Sequence, residues 1–207
     1  MIDKLQFISN QTKDVTHLES IKIALDAGCR WIQLRIKNQT EVAIIKTAIE
    51  AKTLCDSYHA RIIINDYPFV AKEVEAYGLH LGLNDMPLSA ARKIVGDKMI
   101  IGGTANTLEN ILDRIKEGAD YVGLGPFRFT STKQNLSPIL GLEGYRDLIL
   151  ALKQNEHSIP LIAIGGITEQ DIGQILDTGM YGVAISGSII HADNPKNVVH
   201  QINKILC

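Results

Sequence analysis

The sequence is short of cysteine, of net charge and of long apolar runs, and each shortage removes a class of protein. Its three cysteines, Cys29, Cys55 and Cys207, are an odd number without CxxC spacing. Neither a disulfide framework nor a thiolate zinc site is expected, and a packing role is. A formal net charge of -2 over 207 residues argues against nonspecific nucleic-acid binding, which neutralises many phosphates with clustered Lys and Arg. Any phosphate recognition should then be local. No apolar run approaches the ~18 residues of a membrane span, and Met1-Ile2-Asp3-Lys4-Leu5 lacks the basic and apolar regions of a signal peptide. A cytoplasmic chain away from membranes is expected. No linker or low-complexity block divides it, so one domain over 1–207 is expected.

What is present is a repeated alternation of amphipathic stretches with short apolar runs. The joint between them recurs as Asp26-Ala27-Gly28, Ala76-Tyr77-Gly78, Glu117-Gly118-Ala119 and Asp177-Thr178-Gly179, each read as a helix-ending glycine that leads into a strand. Strands are expected at Leu5 to Ser9, Trp31 to Arg35, Arg61 to Ile64, Leu79 to Leu81, Met99 to Gly102, Tyr121 to Leu124, Pro160 to Ile164 and Gly182 to Ile185. Helices are expected at Leu18 to Ala27, Val42 to Ser57, Pro68 to Ala76, Pro87 to Val95, Leu108 to Glu117, Tyr145 to Gln154, Asp171 to Asp177 and Pro195 to Ile205. Apolar strands without strict alternation, each followed by a helix, indicate a parallel sheet covered on both faces. Eight such units favour a closed (β/α)8 TIM barrel over a doubly wound sheet, at the lower end of the size range of such barrels.

Barrels of this kind keep their chemistry at the C-terminal ends of the strands. There the second strand offers Gln33, Arg35 and Lys37, which alternation points the same way, and two adjacent cations repel unless they share an anion. Asn65 and Asp66 follow the third strand, and Asn84 and Asp85 lie just past the fourth. Two carboxylates at neighbouring strand ends suit Mg²⁺, completed by water and substrate phosphate. Helix capping is the competing reading, because both precede a proline-started helix, at Pro68 and Pro87. Gly165-Gly166 after the seventh strand and Ser186-Gly187-Ser188 after the eighth can form a phosphate cup of backbone N–H groups, or can simply be turns that need small residues. The longest loop, Pro126 to Leu142, carries Thr130-Ser131-Thr132-Lys133, and loops of that length are commonly functional. His80 faces the barrel mouth by its strand position and reads either as a ligand contact or as a satisfied buried histidine, while His17, His59, His157, His191 and His200 read as surface residues, and no Ser-His-Asp or Cys-His arrangement stands out.

Taken in order, Gln33-Leu34-Arg35-Ile36-Lys37, Ile64-Asn65-Asp66, His80-Leu81-Gly82 with Asp85, Gly123-Leu124-Gly125-Pro126, Thr130-Ser131-Thr132-Lys133 and Ala163-Ile164-Gly165-Gly166-Ile167 resemble the thiamin phosphate synthase family over almost the whole chain. The resemblance implies a transferase that joins the pyrophosphate ester of 4-amino-5-hydroxymethyl-2-methylpyrimidine to a thiazole phosphate, with Mg²⁺ as cofactor and small molecules as its partners. It implies that Gln33, Arg35, Lys37, Asn65, Thr104 and Lys133 hold the pyrimidine pyrophosphate, with Arg35, Lys37 and Lys133 acting on the leaving group. Asp66 and Asp85 would hold the metal, and Thr130, Ser131, Thr132, Gly166, Ser186 and Gly187 the thiazole phosphate. The family's route expels pyrophosphate first, so it needs a charge clamp more than a general base.

The chain departs from the family pattern at Ile36, Tyr67, Leu83, Thr104 and Asn106. Leu83 and Asn106 remove polar groups near the pyrimidine pocket. A related thiazole tautomerase, which resembles this chain in shape but uses histidine at the place of Asn106, and a non-catalytic thiazole phosphate-binding or thiamin phosphate-binding barrel are the alternatives. The sequence leaves oligomeric state open.

Overall fold

The computed structural model describes residues 2–129 and 138–206. Thr130, Ser131, Thr132, Lys133 and Cys207 lie outside the described residues. Eight parallel strands close in sequence order: β1 Leu5–Ile8, β2 Trp31–Leu34, β3 Arg61–Asn65, β4 Gly78–Leu81, β5 Ile100–Ala105, β6 Tyr121–Leu124, β7 Leu161–Ile164 and β8 Gly182–Ile185. The β1 strand pairs with β8 through Leu5 opposite Val183, which seals the barrel. Around it run α1 His17–Ala27, α2 Glu41–Ser57, α3 Pro68–Glu73, α4 Leu88–Val95, α5 Leu108–Lys116, α6 Gly141–Gln154, α7 Ile172–Asp177, α8 Gly187–Ile190 and α9 Pro195–Leu206. The expected TIM barrel is the fold found.

Threonine side chains start several of the helices, because a short hydroxyl can satisfy a first-turn N–H that has no intrahelical partner. Thr16 and Glu19 form a reciprocal capping box on α1, Thr40 accepts from the Ala43 N–H on α2, and Thr107 accepts from the Asn110 N–H on α5. Gly28 ends α1 at φ 110, in the left-handed region that a side chain would oppose.

The reading of Gly78 as such an ending is corrected by the structure. Helix α3 stops at Glu73, and Gly78 is the first residue of β4. It is small for a different reason, since a Cβ there would lie 2.6 Å from the Ile100 carbonyl oxygen and 2.6 Å from Ile63 Cδ1.

The core has two parts, as a closed sheet requires. Residues facing outward from the strands, such as Phe7, Ile32, Leu34, Ile62, Ile64 and Leu79, pack beneath the helices with Ile21, Ala24, Leu25 and Ile44. Residues facing inward, Trp31, Ile63, Tyr121, Ile162, Ile164 and Ala184, fill the barrel itself. Cys29 and Cys55 are buried, and burial pushes both thiols up to about 12, which suits packing and not reactivity. No helix among the described residues is long and apolar enough to cross a membrane.

Strand β5 runs further than its glycines suggested, through Gly102 and Gly103 to Ala105. Both positions are empty of side chain because large neighbours occupy the space. The ring of Tyr121 lies against Gly102, and Arg114 Cδ would be 2.6 Å from a Cβ on Gly103.

Candidate active site

Above the apolar layer the barrel interior turns polar. Gln33 donates to Gln6 at 3.2 Å, and Gln6 donates to the Tyr121 hydroxyl at 3.3 Å. That hydroxyl also lies 3.0 Å from His80 Nδ1, and His80 Nε2 lies 3.1 Å from the Thr104 hydroxyl. Gln33, His80 and Thr104 are all buried, so the network leaves few of their hydrogen-bonding groups to water and fixes where the rest point. His80 therefore belongs to the barrel interior beneath the mouth. Asn65, at the end of β3, is buried with its Nδ2 lacking a hydrogen-bond partner among the described residues.

Asp66 and Asp85 come together, and neither caps a helix. Tyr67 and Pro87 occupy the N-cap positions of α3 and α4, without a side-chain cap bond at either. The first N–H of α4, on Leu88, is instead met by Glu117 Oε2 from the end of α5, at 3.3 Å. Asp85 turns to its own loop and accepts from the Gly82 N–H at 2.6 Å. Asp66 sits at φ 69, a left-handed conformation unusual for a residue with a side chain and a marker of functional sites when the surroundings enforce it. Its carboxylate pairs with Lys37 and lies against Asp85.

The environments of the two neighbouring acids split them. Burial, then the hydrogen bond to Asp85, pushes Asp66 up to about 6 against the opposing pull of Lys37. Burial also acts to raise Asp85, but the bonds to Asp66 and to the Gly82 N–H outweigh it and hold its carboxyl below the ordinary value. A raised Asp66 means that the native state binds the extra proton. Its contribution to stability is therefore present below the ordinary value of 3.8 and is lost as pH rises through about 6. In EDTA, the melting temperature of wild type relative to Asp66→Asn should fall by a few degrees between pH ~4 and ~7. A difference that stays flat across that range would rule out a raised Asp66.

Arg35 and Lys37 divide between two settings. Lys37 reaches Asp66, while Arg35 borders a cavity of about 540 Å³ lined also by Gly165, Gly166, Ser186, Gly187 and His191. The small residues keep the walls close: Gly166 has φ 69, and a Cβ on it would fall 2.5 Å from Arg128 Cγ. Arg128 holds the loop by donating to the Gly166 carbonyl at 3.0 Å and, through both terminal nitrogens, to Asp171 at 2.9 and 2.6 Å. Ser186 Oγ is buried with no hydrogen-bond partner among the described residues, as expected of a group that waits for a ligand. The cavity thus joins a cation to backbone and hydroxyl groups suited to a phosphate.

The structure adds residues that the sequence reading passed over. His17, read as a surface residue, is half-buried beside the mouth, with Nδ1 3.0 Å from the Ser9 hydroxyl. His191 is exposed but lines the same cavity as Gly166 and Ser186. Arg114 is buried, pairs with Glu117, and donates to the carbonyls of Thr104 and Gly82, tying the ends of β4 and β5 together. Asn106, where the tautomerase has histidine, donates its amide to the Gly125 carbonyl, and Leu83 stands 38% exposed on the loop before Asp85.

A closed parallel barrel with paired carboxylates on one side of its mouth and a small-residue cavity bordered by an arginine on the other has the layout of an α/β barrel suited to phosphate ligands. The family model for thiamine monophosphate synthase matches residues 5–189. The chain is 48% identical over 206 residues to the thiamine-phosphate synthase of Flavobacterium johnsoniae, covering 100% of this chain and 97% of that one. It is 48% identical over 191 residues to the thiamine-phosphate synthase of Bacteroides thetaiotaomicron, covering 92% of this chain and 91% of that one. Among solved structures, a thiamine phosphate pyrophosphorylase from Pyrococcus furiosus superposes with a TM-score of 0.82 at 31% identity, covering 98% of this chain and 95% of that one. The chain belongs to the thiamine-phosphate synthase family, and it is a transferase of thiamine biosynthesis.

Proposed function

We infer that the two sides of the mouth divide the two substrates. The pyrimidine pyrophosphate lies over Gln33, Asn65 and Thr104 with its phosphates toward Lys37, Asp66 and Asp85, and the thiazole phosphate sits in the cavity of Gly166, Ser186 and Gly187. Arg35 borders that cavity and is near enough to Lys37 in sequence to serve either anion. Thr130, Ser131, Thr132 and Lys133 join this reading on the resemblance alone.

The observation that carries the reading is the pairing of Asp66 with Asp85 while α3 and α4 start without help from either. Two acids in contact, with Lys37 as a counter-charge, fit a divalent cation. Among the described residues no group of three or more His, Cys, Asp and Glu converges. Such a site would leave coordination positions to water and substrate oxygen, which suits Mg²⁺ better than zinc. When bound there, Mg²⁺ supplies charge neutralisation for the pyrophosphate oxygens.

The chain's own groups do the rest. The bond between the pyrimidine methylene and the pyrophosphate oxygen breaks, and its electron pair leaves with pyrophosphate toward Lys37 and Arg35. The thiazole nitrogen then gives its lone pair to the methylene carbon, forming the C–N bond of thiamin phosphate. No proton has to move in either step, so fixed positive charge matters more than a general base. Burial in the polar network orients Gln33 and Thr104 for the pyrimidine before it binds.

Purified protein mixed with Mg²⁺, the pyrimidine pyrophosphate and the thiazole phosphate should form thiamin phosphate, followed by oxidation to fluorescent thiochrome, and EDTA should abolish it. Folded protein that binds thiazole phosphate yet forms no product would overturn this reading.

A further inference from the structure

We propose that Arg114 is a positioning residue for the metal site, its guanidinium holding the strand ends one step past the last pair of β4 with β5 and so setting where Asp85 stands. This rests on the reading of Asp66 and Asp85 as the holders of Mg²⁺. Pairing of β4 with β5 ends at Leu81 opposite Gly103. The next step in register would set Gly82 opposite Thr104, yet β4 itself stops at Leu81. Arg114 reaches in from α5 and takes the carbonyls of both residues, Thr104 through Nε at 3.2 Å and Gly82 through Nη2 at 3.1 Å.

A planar fork of donors suits this task in a way that a lone ammonium does not. It leaves Nη1 for Glu117 Oε2 at 2.6 Å, and the same oxygen accepts from the Leu88 N–H at 3.3 Å. One carboxylate oxygen thus joins the guanidinium to the first turn of α4. The segment from Gly82 to Leu88 is therefore tied at both ends to a single ion pair. Arg114 is 6% exposed, and a cation so enclosed keeps its geometry, because any departure leaves a donor stranded away from water.

Two glycines mark the line of contacts from Arg114 to the acid. A Cβ on Gly103 would lie 2.6 Å from Arg114 Cδ and 3.0 Å from Nε, so glycine there clears the path of the side chain to the strand ends. A Cβ on Gly82 would lie 2.8 Å from Asp85 Oδ2, so glycine there lets the carboxylate lie against the main chain, where it accepts from the Gly82 N–H at 2.6 Å. Gly82 links the two, its carbonyl held by Arg114 and its N–H holding Asp85. Outer partners of this kind govern metal affinity because they fix the direction of the ligand. The cavity of Gly166 and Ser186 takes no lining residue from β4, α4, β5 or α5 among the described residues, so the thiazole side of the mouth is independent of Arg114.

The experiment titrates Mn²⁺, an oxygen-seeking stand-in for Mg²⁺, into metal-free protein and follows the free ion by electron paramagnetic resonance. Wild type, Asp85→Asn, Arg114→Lys and Gly103→Ala are compared, each with its thermal melt, its Mg²⁺ requirement and its KM for both substrates. Arg114→Lys keeps the charge and loses the fork, whereas Gly103→Ala keeps the fork and displaces it. Both should raise the Mn²⁺ dissociation constant and the Mg²⁺ needed for half-maximal turnover by about tenfold, the low end of what outer partners contribute. KM for the pyrimidine pyrophosphate should rise with them, while KM for the thiazole phosphate stays within about twofold of wild type. A lowered melting temperature with wild-type Mn²⁺ affinity, or equal rises in the two KM values, would show a merely structural role and overturn the proposal. Equal Mn²⁺ affinity in wild type and Asp85→Asn would instead remove the metal reading itself, whatever the Arg114 variant does, and the proposal with it. If Arg114→Lys does not fold, Gly103→Ala decides by the same criteria.

Discussion

Changing Asp66 and Asp85 together to asparagine should lower Mg²⁺-dependent turnover by roughly 10³-fold, the scale of a metal worth several kcal/mol of charge stabilisation, while the barrel stays folded. The fold should survive because the start of α4 is secured by Glu117 and not by Asp85, and because asparagine tolerates the left-handed backbone at position 66. The carboxamide oxygen that Asp85→Asn introduces can still accept from the Gly82 N–H that Asp85 now binds. Alanine at both positions would confuse the result, since it gives up that loop bond and strains position 66. Thiochrome formation and a thermal melt together decide the matter. Unimpaired turnover would remove the metal role, and collapse of the melt would return both acids to a structural role.

The second large effect is on stability. Gly102→Ala should destabilise the barrel by about 3 kcal/mol, the upper end of the usual range for overpacking, and lower the melting temperature by roughly 10 °C for a chain of this size. A Cβ at position 102 would lie 2.6 Å from Tyr121 Cε2 and closer still to Cζ and Cε1. The ring cannot give way, being fully buried, edge-on to Trp31 at 5.0 Å between centroids, and bonded through its hydroxyl to Gln6 and His80. Because His80 in turn holds Thr104, whatever fold remains should also bind the pyrimidine pyrophosphate more weakly. A variant that melts with wild type would mean that the ring has somewhere to go, and the interior network would lose its claim to rigidity.

These two expectations differ in how far the sequence foretold them. The acids were legible as candidates, because each follows an apolar run at the same place in the repeat. What removed the capping reading was not legible, since the group that meets the Leu88 N–H, Glu117, lies 29 residues further along the chain. Gly102 and Gly103 carried the opposite signal: the expected strand stops at Gly102, yet β5 runs on through Gly103 to Ala105, and both positions are glycine because Tyr121 and Arg114 need the room. Gly78 failed for the same reason, a glycine required by a neighbour and not by its own φ. The short α8 went unread because four residues, Gly187–Ile190, hold too little periodicity to show a face. His17 escaped because helix position says nothing about which strand-end hydroxyl it will meet.

The segment between β4 and α4 is held almost wholly by its main chain. Arg114 grips the Gly82 carbonyl, Asp85 grips the Gly82 N–H, and Glu117 meets the N–H of Leu88. Leu83 and Met86, by contrast, project 38% and 36% exposed, and Asn84 between them is exposed as well. The stretch is therefore a fixed frame with exchangeable side chains, and an unusual residue such as Leu83 can be acquired by drift without disturbing the acid that follows it. Divergence in the side chains that this rim shows to solvent has an open route here, one that leaves the rest of the barrel untouched.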